Sequence, residues 1–308
     1  MDPRKFRDPF VTLDGSRRAA VALEALDTLW FNTGTLCNIA CLTCYIESSP
    51  RNDALVYLSA REVTGYLAEI ETNGLTTREI GFTGGEPFMN AEIMVMLEAA
   101  LASGRQTLVL TNAMRPMRRF ERQLVALRQR YGDALTLRVS LDHYSQAIHE
   151  AERGADTWNA AIAGLVWLAE NGFSLAIAGR RLGDESEDVA RAGYADLLAR
   201  LGVVFDVSDP ARMILFPEMD ATRDAPEITE ACWGILNVAP GSMMCASSRM
   251  VVKRKGAERP VIVACTLTPY DPQFELGHTL AGAAGSVQLN HPHCARFCVL
   301  GGASCSGR

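Results

Sequence analysis

Residues 37–45 read Cys37-Asn38-Ile39-Ala40-Cys41-Leu42-Thr43-Cys44-Tyr45, three thiols separated by three and then two residues. A loop this short can present three thiolates to one polynuclear centre, and thiolates are the usual ligands of iron–sulfur clusters. Three thiolates leave one iron of a cubane without a protein ligand, open to a small chelating molecule, as catalytic metal sites keep an open position. A zinc knuckle and three unrelated buried cysteines are the competing readings. Zinc would want a fourth Cys or His nearby, and the first histidine of the chain is His143.

On either side of this loop the chain alternates strand-like and helix-like runs. Residues 27–31 read as a strand feeding the loop. Ser59 with Glu62 three residues later forms a capping box that opens a helix to about residue 71. Strands are predicted over 79–83, 106–111, 135–141, 173–178 and 203–207, and helices over 92–102, 116–131, 158–170 and 187–201. About six β/α units of this kind imply parallel strands joined by right-handed crossovers. After Pro210 prolines, glycines and cysteines multiply and the helical period fades. There residues 250–253 and 260–263, joined through Lys255-Gly256-Ala257-Glu258, read as a β-hairpin. The expected architecture is an α/β partial (β/α)6 barrel with a small cysteine-rich C-terminal domain containing that hairpin. Its divisions are 1–26 as an N-terminal extension, 27–210 as the barrel and 211–308 as the cysteine-rich domain.

Composition narrows the function classes. The 308 residues are 48% hydrophobic, enough for a large core, and the net charge of −6 argues against a bulk nucleic-acid binder. The start of the chain lacks an apolar signal segment, and no stretch approaches the roughly 18 apolar residues of a membrane span. The expected setting is the cytoplasm. All nine cysteines fall in two groups, Cys37 to Cys44 and then Cys232, Cys245, Cys265, Cys294, Cys298 and Cys305. An odd count in two dense groups fits metal ligation better than a disulfide framework. Six arginines between Arg115 and Arg130 crowd one helical region, which reads as a solvated helix face.

The C-x3-C-x2-C loop after a first strand, with Tyr45 behind the third cysteine, resembles the signature of the radical S-adenosylmethionine superfamily. Later strand ends carry the resemblance further. Thr83-Gly84-Gly85-Glu86-Pro87 is similar to the family's GGE(P) motif. Thr111-Asn112-Ala113 stands where relatives often have Thr-Asn-Gly. Ser140-Leu141-Asp142 is similar to an S-x-D pattern, and residues 149–154 resemble a His-Asp-x-x-Arg-Gly stretch. The resemblance implies a four-iron, four-sulfur cluster on Cys37, Cys41 and Cys44, with S-adenosylmethionine chelating the fourth iron. It also implies that Tyr45, Gly84, Gly85, Glu86, Asn112, Ser140, Asp142 and Arg153 surround that cofactor. The Glu86 carboxylate would meet its ammonium group, and Arg153 is placed to pair with its carboxylate. An electron from the cluster would break a C–S bond and release a 5′-deoxyadenosyl radical that abstracts hydrogen from substrate. Gly179 is expected to make room for the adenine.

The second cysteine group resembles the "twitch" and SPASM extensions of that superfamily, where a hairpin flanked by cysteines and a later pair hold auxiliary clusters. Six cysteines are too few for two fully thiolate-ligated clusters. One auxiliary four-iron cluster is expected, on Cys245, Cys265, Cys294 and Cys298, with Cys305 and Cys232 as substitutes. A zinc site helped by His291 or His293 is the alternative. The implied partners are a reductant such as flavodoxin or ferredoxin and a small-molecule or peptide substrate, with neither nucleic acid nor membrane. The 26 residues before the first strand lean toward a small molecule. A non-catalytic electron carrier or sensor on the same fold is the rival class. The catalytic base is left open among Glu218, Asp220 and Tyr270.

Overall fold

The computed structural model describes residues 2–183, 185–217 and 223–302. After the short strand β1 (Ala20–Val21), β2 (Thr28–Asn32) is buried along its whole length and runs straight into the cysteine loop. Helix α1 (Ala60–Thr72) opens as its capping box predicts. Ser59 Oγ accepts from the Glu62 N–H at 3.2 Å, and the Glu62 carboxylate accepts from the Ser59 N–H at 2.8 Å. Then come β3 (Glu79–Thr83), α2 (Ile93–Ala102), β4 (Gln106–Thr111), α3 (Arg115–Arg118), α4 (Glu121–Tyr131), β5 (Leu135–Ser140), α5 (Gln146–Arg153), α6 (Thr157–Glu170), β6 (Ser174–Arg180), α7 (Glu187–Arg200) and β7 (Met213–Phe216). Strands β2 to β7 are parallel and pair in sequence order. One large core packs the helices on the sheet. The opposite face is filled by Trp30, Leu108, Met250 and their neighbours. Gly81 of β3 has no side chain because a Cβ there would lie 2.3 Å from the Trp30 ring.

Two expectations are corrected. Residues 203–207 form a loop, and the last parallel strand is β7 instead. Val204 is 98% exposed, and the Asp206 and Asp209 carboxylates turn back to accept the N–H groups of Ser208 and Ala211. Turn chemistry wins over β-propensity there, and Met213 and Ile214 take the place beside β6. The helix expected over 116–131 is two helices, because Phe120 leaves helical geometry and packs on Phe88 with ring centroids 6.1 Å apart.

The C-terminal hairpin forms from β8 (Ser248–Val252) and β9 (Val261–Val263), with Val251 opposite Ile262. It does not stand apart. Strand β8 also pairs in parallel with β2, setting Trp30 opposite Met250. With β10 (Glu275–Gly277) the sheet has nine strands in the order β10-β9-β8-β2-β3-β4-β5-β6-β7. Both hairpin strands are buried throughout, so only the sheet edge lets them bury both faces. The first residues of the chain fold against the cysteine-rich region. Strand β1 pairs with β11 (Val287–Gln288), buried Arg18 pairs with Glu227 at 2.5 Å, and Ala19 and Val21 share a core with Ile228, Phe274 and Val299. Helix α8 (Cys232–Leu236) flanks that core. Among the described residues no helix is long and apolar enough to cross a membrane.

Candidate functional site

In a parallel β/α sheet the residues just past the strands' carboxyl ends share one face. Here those ends surround a cavity with about 630 Å³ of free space, its open mouth included. Cys37, Cys41 and Cys44 line it from the loop after β2, with Tyr45 and Ser48 beside them. Gly84, Gly85, Asn112 and Ser140 face it from β3, β4 and β5, and Arg153 and Arg180 bring two guanidinium groups. Burial pushes the Cys37 thiol up to about 12 and raises Cys41 as well. A bound metal would therefore have to displace their protons.

The cysteine loop is held by polar contacts within itself and from later elements of the chain. Leu42 N–H donates to the Glu152 carbonyl at 2.7 Å, and the Thr43 hydroxyl donates to the Glu152 carboxylate at 2.6 Å. Arg180 Nη1 donates to Thr43 Oγ1 at 2.7 Å. Asn112 Nδ2 donates to Asn38 Oδ1 at 2.9 Å, and Cys44 Sγ accepts from the Ser48 N–H at 3.3 Å. Thr43, Glu152 and Arg180 are braces that the sequence reading missed. Only Arg180 had a signal, its place at the end of a parallel strand.

Gly84 and Gly85 do more than line the cavity. A Cβ on Gly84 would lie 2.5 Å from the Gly34 carbonyl oxygen, and one on Gly85 2.2 Å from that of Leu36. What needs these glycines is the cysteine loop itself, whose backbone lies against them. Glu86 is not among the residues that line the cavity. Its side chain is fully buried beneath the cavity, where one oxygen accepts from Thr111 Oγ1 at 2.9 Å and from the Phe88 N–H at 3.2 Å. The other accepts from the Asn112 N–H at 2.8 Å. Burial pushes its carboxyl up to about 7 against those three donors. In this structure Glu86 ties the β3 turn to the β4 end.

Asp142 is likewise drawn inward, gripped by Arg153 at 2.8 and 3.1 Å and by Arg180 at 3.3 Å. Burial pushes its carboxyl up, but the two guanidinium groups outweigh that and hold it below its ordinary value. Ala113 takes a left-handed backbone, at φ +58°, a strain of about 1 kcal/mol. Gly164 on α6 makes room for it, since a Cβ there would lie 1.8 Å from the Ala113 carbonyl oxygen. Gly179 makes room for Tyr194. A Cβ would lie 2.3 Å from that phenol oxygen, which donates to the Leu141 carbonyl at 2.6 Å.

A second cavity is lined by Cys245, Cys265, Cys294 and Cys298, the four thiols favoured by the sequence reading. Cys245 precedes β8 and Cys265 follows β9. Cys294 and Cys298 sit four residues apart on one π-helical turn, Cys294–Val299. Met243, Leu267, Phe274 and Leu289 make most of the remaining wall apolar, with Thr268 and His293 the polar neighbours. Burial pushes the Cys245 thiol up to about 12 and raises Cys265 and Cys294. Cys232 does not line this cavity and accepts from the Thr229 N–H at 3.4 Å. Cys305, Glu218 and Asp220 lie outside the described residues. Tyr270 is committed elsewhere, donating to the Ile46 carbonyl at 2.6 Å and accepting from Asn52 Nδ2 at 3.2 Å.

Among the described residues no three Cys, His, Asp or Glu side chains converge tightly enough to hold a single metal ion. Each thiol set lines a cavity wall instead. The first set suits an iron–sulfur group that leaves one position open, with two guanidinium groups and an amide close by for the charged end of a second ligand. The second offers thiolates in number enough for a closed cluster.

A family model described as the radical SAM superfamily matches residues 31–191, just over half of the chain. The antilisterial bacteriocin subtilosin biosynthesis protein AlbA of Bacillus subtilis (strain 168) is 28% identical over 144 residues, covering 47% of this chain and 30% of that protein. The mycofactocin maturase MftC of Mycobacterium ulcerans (strain Agy99) is 29% identical over 152 residues, covering 49% of this chain and 39% of that one. The chain thus spans well under half the length of these relatives. The solved structure of native anSMEcpe with bound AdoMet has the same fold, with a TM-score of 0.59 at 12% identity over 83% of this chain and 79% of that one.

Proposed function

Because this chain belongs to the radical SAM superfamily, we propose that it cleaves S-adenosylmethionine reductively and abstracts hydrogen from a peptide substrate. The observation that carries the reading is the convergence of Cys37, Cys41 and Cys44 on a cavity that Gly84, Asn112, Ser140 and Arg153 also line. Members of the superfamily bind a four-iron, four-sulfur cluster and S-adenosylmethionine. The cluster, when bound, supplies the electron that opens the sulfonium C–S bond and so releases a 5′-deoxyadenosyl radical. This chain's own contribution is positional. The three thiolates would hold the iron, Arg153 and Arg180 would provide cationic partners for a carboxylate, and Asp142 fixes both guanidinium groups. Tyr45 adds an aromatic wall.

In this reading the catalytic barrel runs from residue 27 through β7, past the boundary expected at 210, and the residues after it hold one auxiliary four-iron cluster on Cys245, Cys265, Cys294 and Cys298. The residues before 27 pack onto that second region. The substrate reading leans on the names of the curated relatives, a bacteriocin biosynthesis protein and a maturase. It replaces the lean toward a small molecule that residues 1–26 suggested. A one-electron donor such as flavodoxin or ferredoxin, in the cytoplasm, completes the proposal.

The test is anaerobic reconstitution with iron and sulfide, followed by dithionite and S-adenosylmethionine. The expected result is 5′-deoxyadenosine, rising when short candidate peptides are added. Protein that holds its cluster but yields no 5′-deoxyadenosine under any condition would be a carrier or sensor. Zinc in the first loop of oxygen-protected protein would end the proposal.

A further inference from the structure

Arg18, Arg138 and Arg249 are buried, and Arg105, Arg153 and Arg180 are nearly so; all but Arg249 face a carboxylate. Arg18 pairs with Glu227, Arg153 with Asp142, and Arg138 lies close enough to Glu79 to oppose the effect of burial on that carboxyl. Arg249 is different. It is 1% exposed, and among the described residues no carboxylate pairs with it. Its guanidinium donates only to backbone carbonyls: Ala283 at 2.9 Å, Cys245 at 2.6 Å, Ser248 at 2.8 Å and Gly285 at 2.9 Å. These contacts satisfy its donors but bring no opposite charge, and burying an unpaired charge is costly. A guanidinium does not escape by losing its proton. The ionisable groups that do act on it are Cys245 and Cys265, both on the wall of the second cavity.

Among the described residues, then, the only acidic groups near this guanidinium are thiols. Four neutral thiols supply no opposite charge, whereas a metal centre on four thiolates, zinc or iron–sulfur, is a net anion. A four-iron cluster on those thiolates would place its negative charge near this guanidinium. We infer that Arg249 is the built-in counter-cation of an anionic thiolate cluster at Cys245, Cys265, Cys294 and Cys298, and that it favours the cluster's reduced state. The inference rests on the auxiliary-cluster reading above. Arg249 is a positioning residue for the electron, since its charge stabilises the state that carries one more.

The experiment uses full-length protein with Cys37, Cys41 and Cys44 changed to Ala, so that any cluster signal comes from the second site. Iron near four per chain in this background tests the cluster reading by itself. Arg249→Met and Arg249→Lys are then added, and the cluster's midpoint potential is measured by mediated dithionite titration with electron paramagnetic resonance. Loss of the cation should make reduction at least tenfold less favourable, a fall of about 59 mV for a one-electron couple. The lysine variant should stay near the parent value. If Arg249→Met loses the cluster while Arg249→Lys keeps it, charge is again the requirement, and the inference stands. An unchanged potential in Arg249→Met would overturn it and leave the cluster reading intact. Equal loss of cluster in both variants would also overturn it, because carbonyl bonding rather than charge would then be what matters. Iron absent from the background protein would remove the auxiliary cluster, and Arg249's role with it.

Discussion

The two cysteine sites use the same side chain in opposite surroundings. The first draws its thiols from a single loop, Cys37 to Cys44, and backs them with guanidinium groups, an amide and a serine. The second collects thiols from three separate stretches, before β8, after β9 and on the last turn, and surrounds them largely with Met, Leu, Phe and Val side chains. A loop-borne set with polar company can keep a position open for a charged small molecule without altering the fold. A set assembled across the fold closes on whatever it holds, and that group becomes a cross-link. Metal binding at such a site is folding free energy. The difference teaches where chemistry and stability part company in this chain.

The sharpest way to break the comparison is to remove ligands from each site in turn. Cys41→Ser should lower 5′-deoxyadenosine formation by about a thousandfold or more, the scale of losing a group that holds the reacting partner. Its melting temperature should stay within a few degrees of the parent. The Cys245→Ala/Cys294→Ala variant should lose several kcal/mol of stability along with about four irons per chain. Calorimetry beside iron analysis reads both. If the two variants destabilise equally, the contrast between an open site and a stapled one fails.

A smaller effect separates the sites by packing alone. Gly85→Ala forces a methyl against the Leu36 carbonyl oxygen, so the cysteine loop has to shift. Overpacking of this kind costs about 1–3 kcal/mol. The expected result is weaker S-adenosylmethionine binding and partial loss of iron from the first site, with the second cluster's spectrum unaltered. Matching losses at both sites would show that Gly85 supports the whole fold rather than the loop.

Much of this was legible in the residues, and the limits have physical causes. Strands β3 and β4 fall on the predicted residues because apolar content, β-propensity and flanking turn signals agree there. The run at 203–207 has strand composition, yet Val204 points into solvent, because which apolar run docks beside β6 is decided by tertiary pairing. The hairpin was visible, but its attachment to β2 was not, since a strand's sequence does not name its neighbour. The C-x3-C-x2-C spacing and the Gly84-Gly85-Glu86 run were plain. Less plain was where Glu86 points, because a buried carboxylate can be satisfied as well by the Asn112 N–H as by a ligand. The ring of carbonyls around buried Arg249 has no sequence signal at all. It exists only once the Ala283–Gly285 carbonyls have folded around that guanidinium.

The smallest predicted effect lies behind the first site and is a matter of pH. His149 on α5 is fully buried, edge-on to Trp158 at 5.4 Å, and among the described residues neither ring nitrogen has a hydrogen-bond partner. Burial pushes its pKa down to about 4, with Arg153 and His143 adding to the fall and Asp142 and Glu150 opposing it. In the unfolded chain the ring titrates near 6.5. Between those two values the unfolded state binds the extra proton, so the stability tied to neutral His149 is present above pH 6.5 and is lost as pH falls toward 4. The loss should be on the order of 3 kcal/mol, a drop of several degrees in melting temperature. His149→Phe keeps the ring against Trp158 and gives up no hydrogen bond. Its stability at pH 7.5 should stay within about 1 kcal/mol of the parent, while its decline between pH 6.5 and 4.5 should be shallower. The second site supplies the control, because His293 is also buried and pushed down to about 4, so some acid loss should persist in the variant. Parallel pH curves for parent and His149→Phe would mean that this imidazole is already charged or hydrated in the fold, and that the ground behind the first site is wetter than its packing implies.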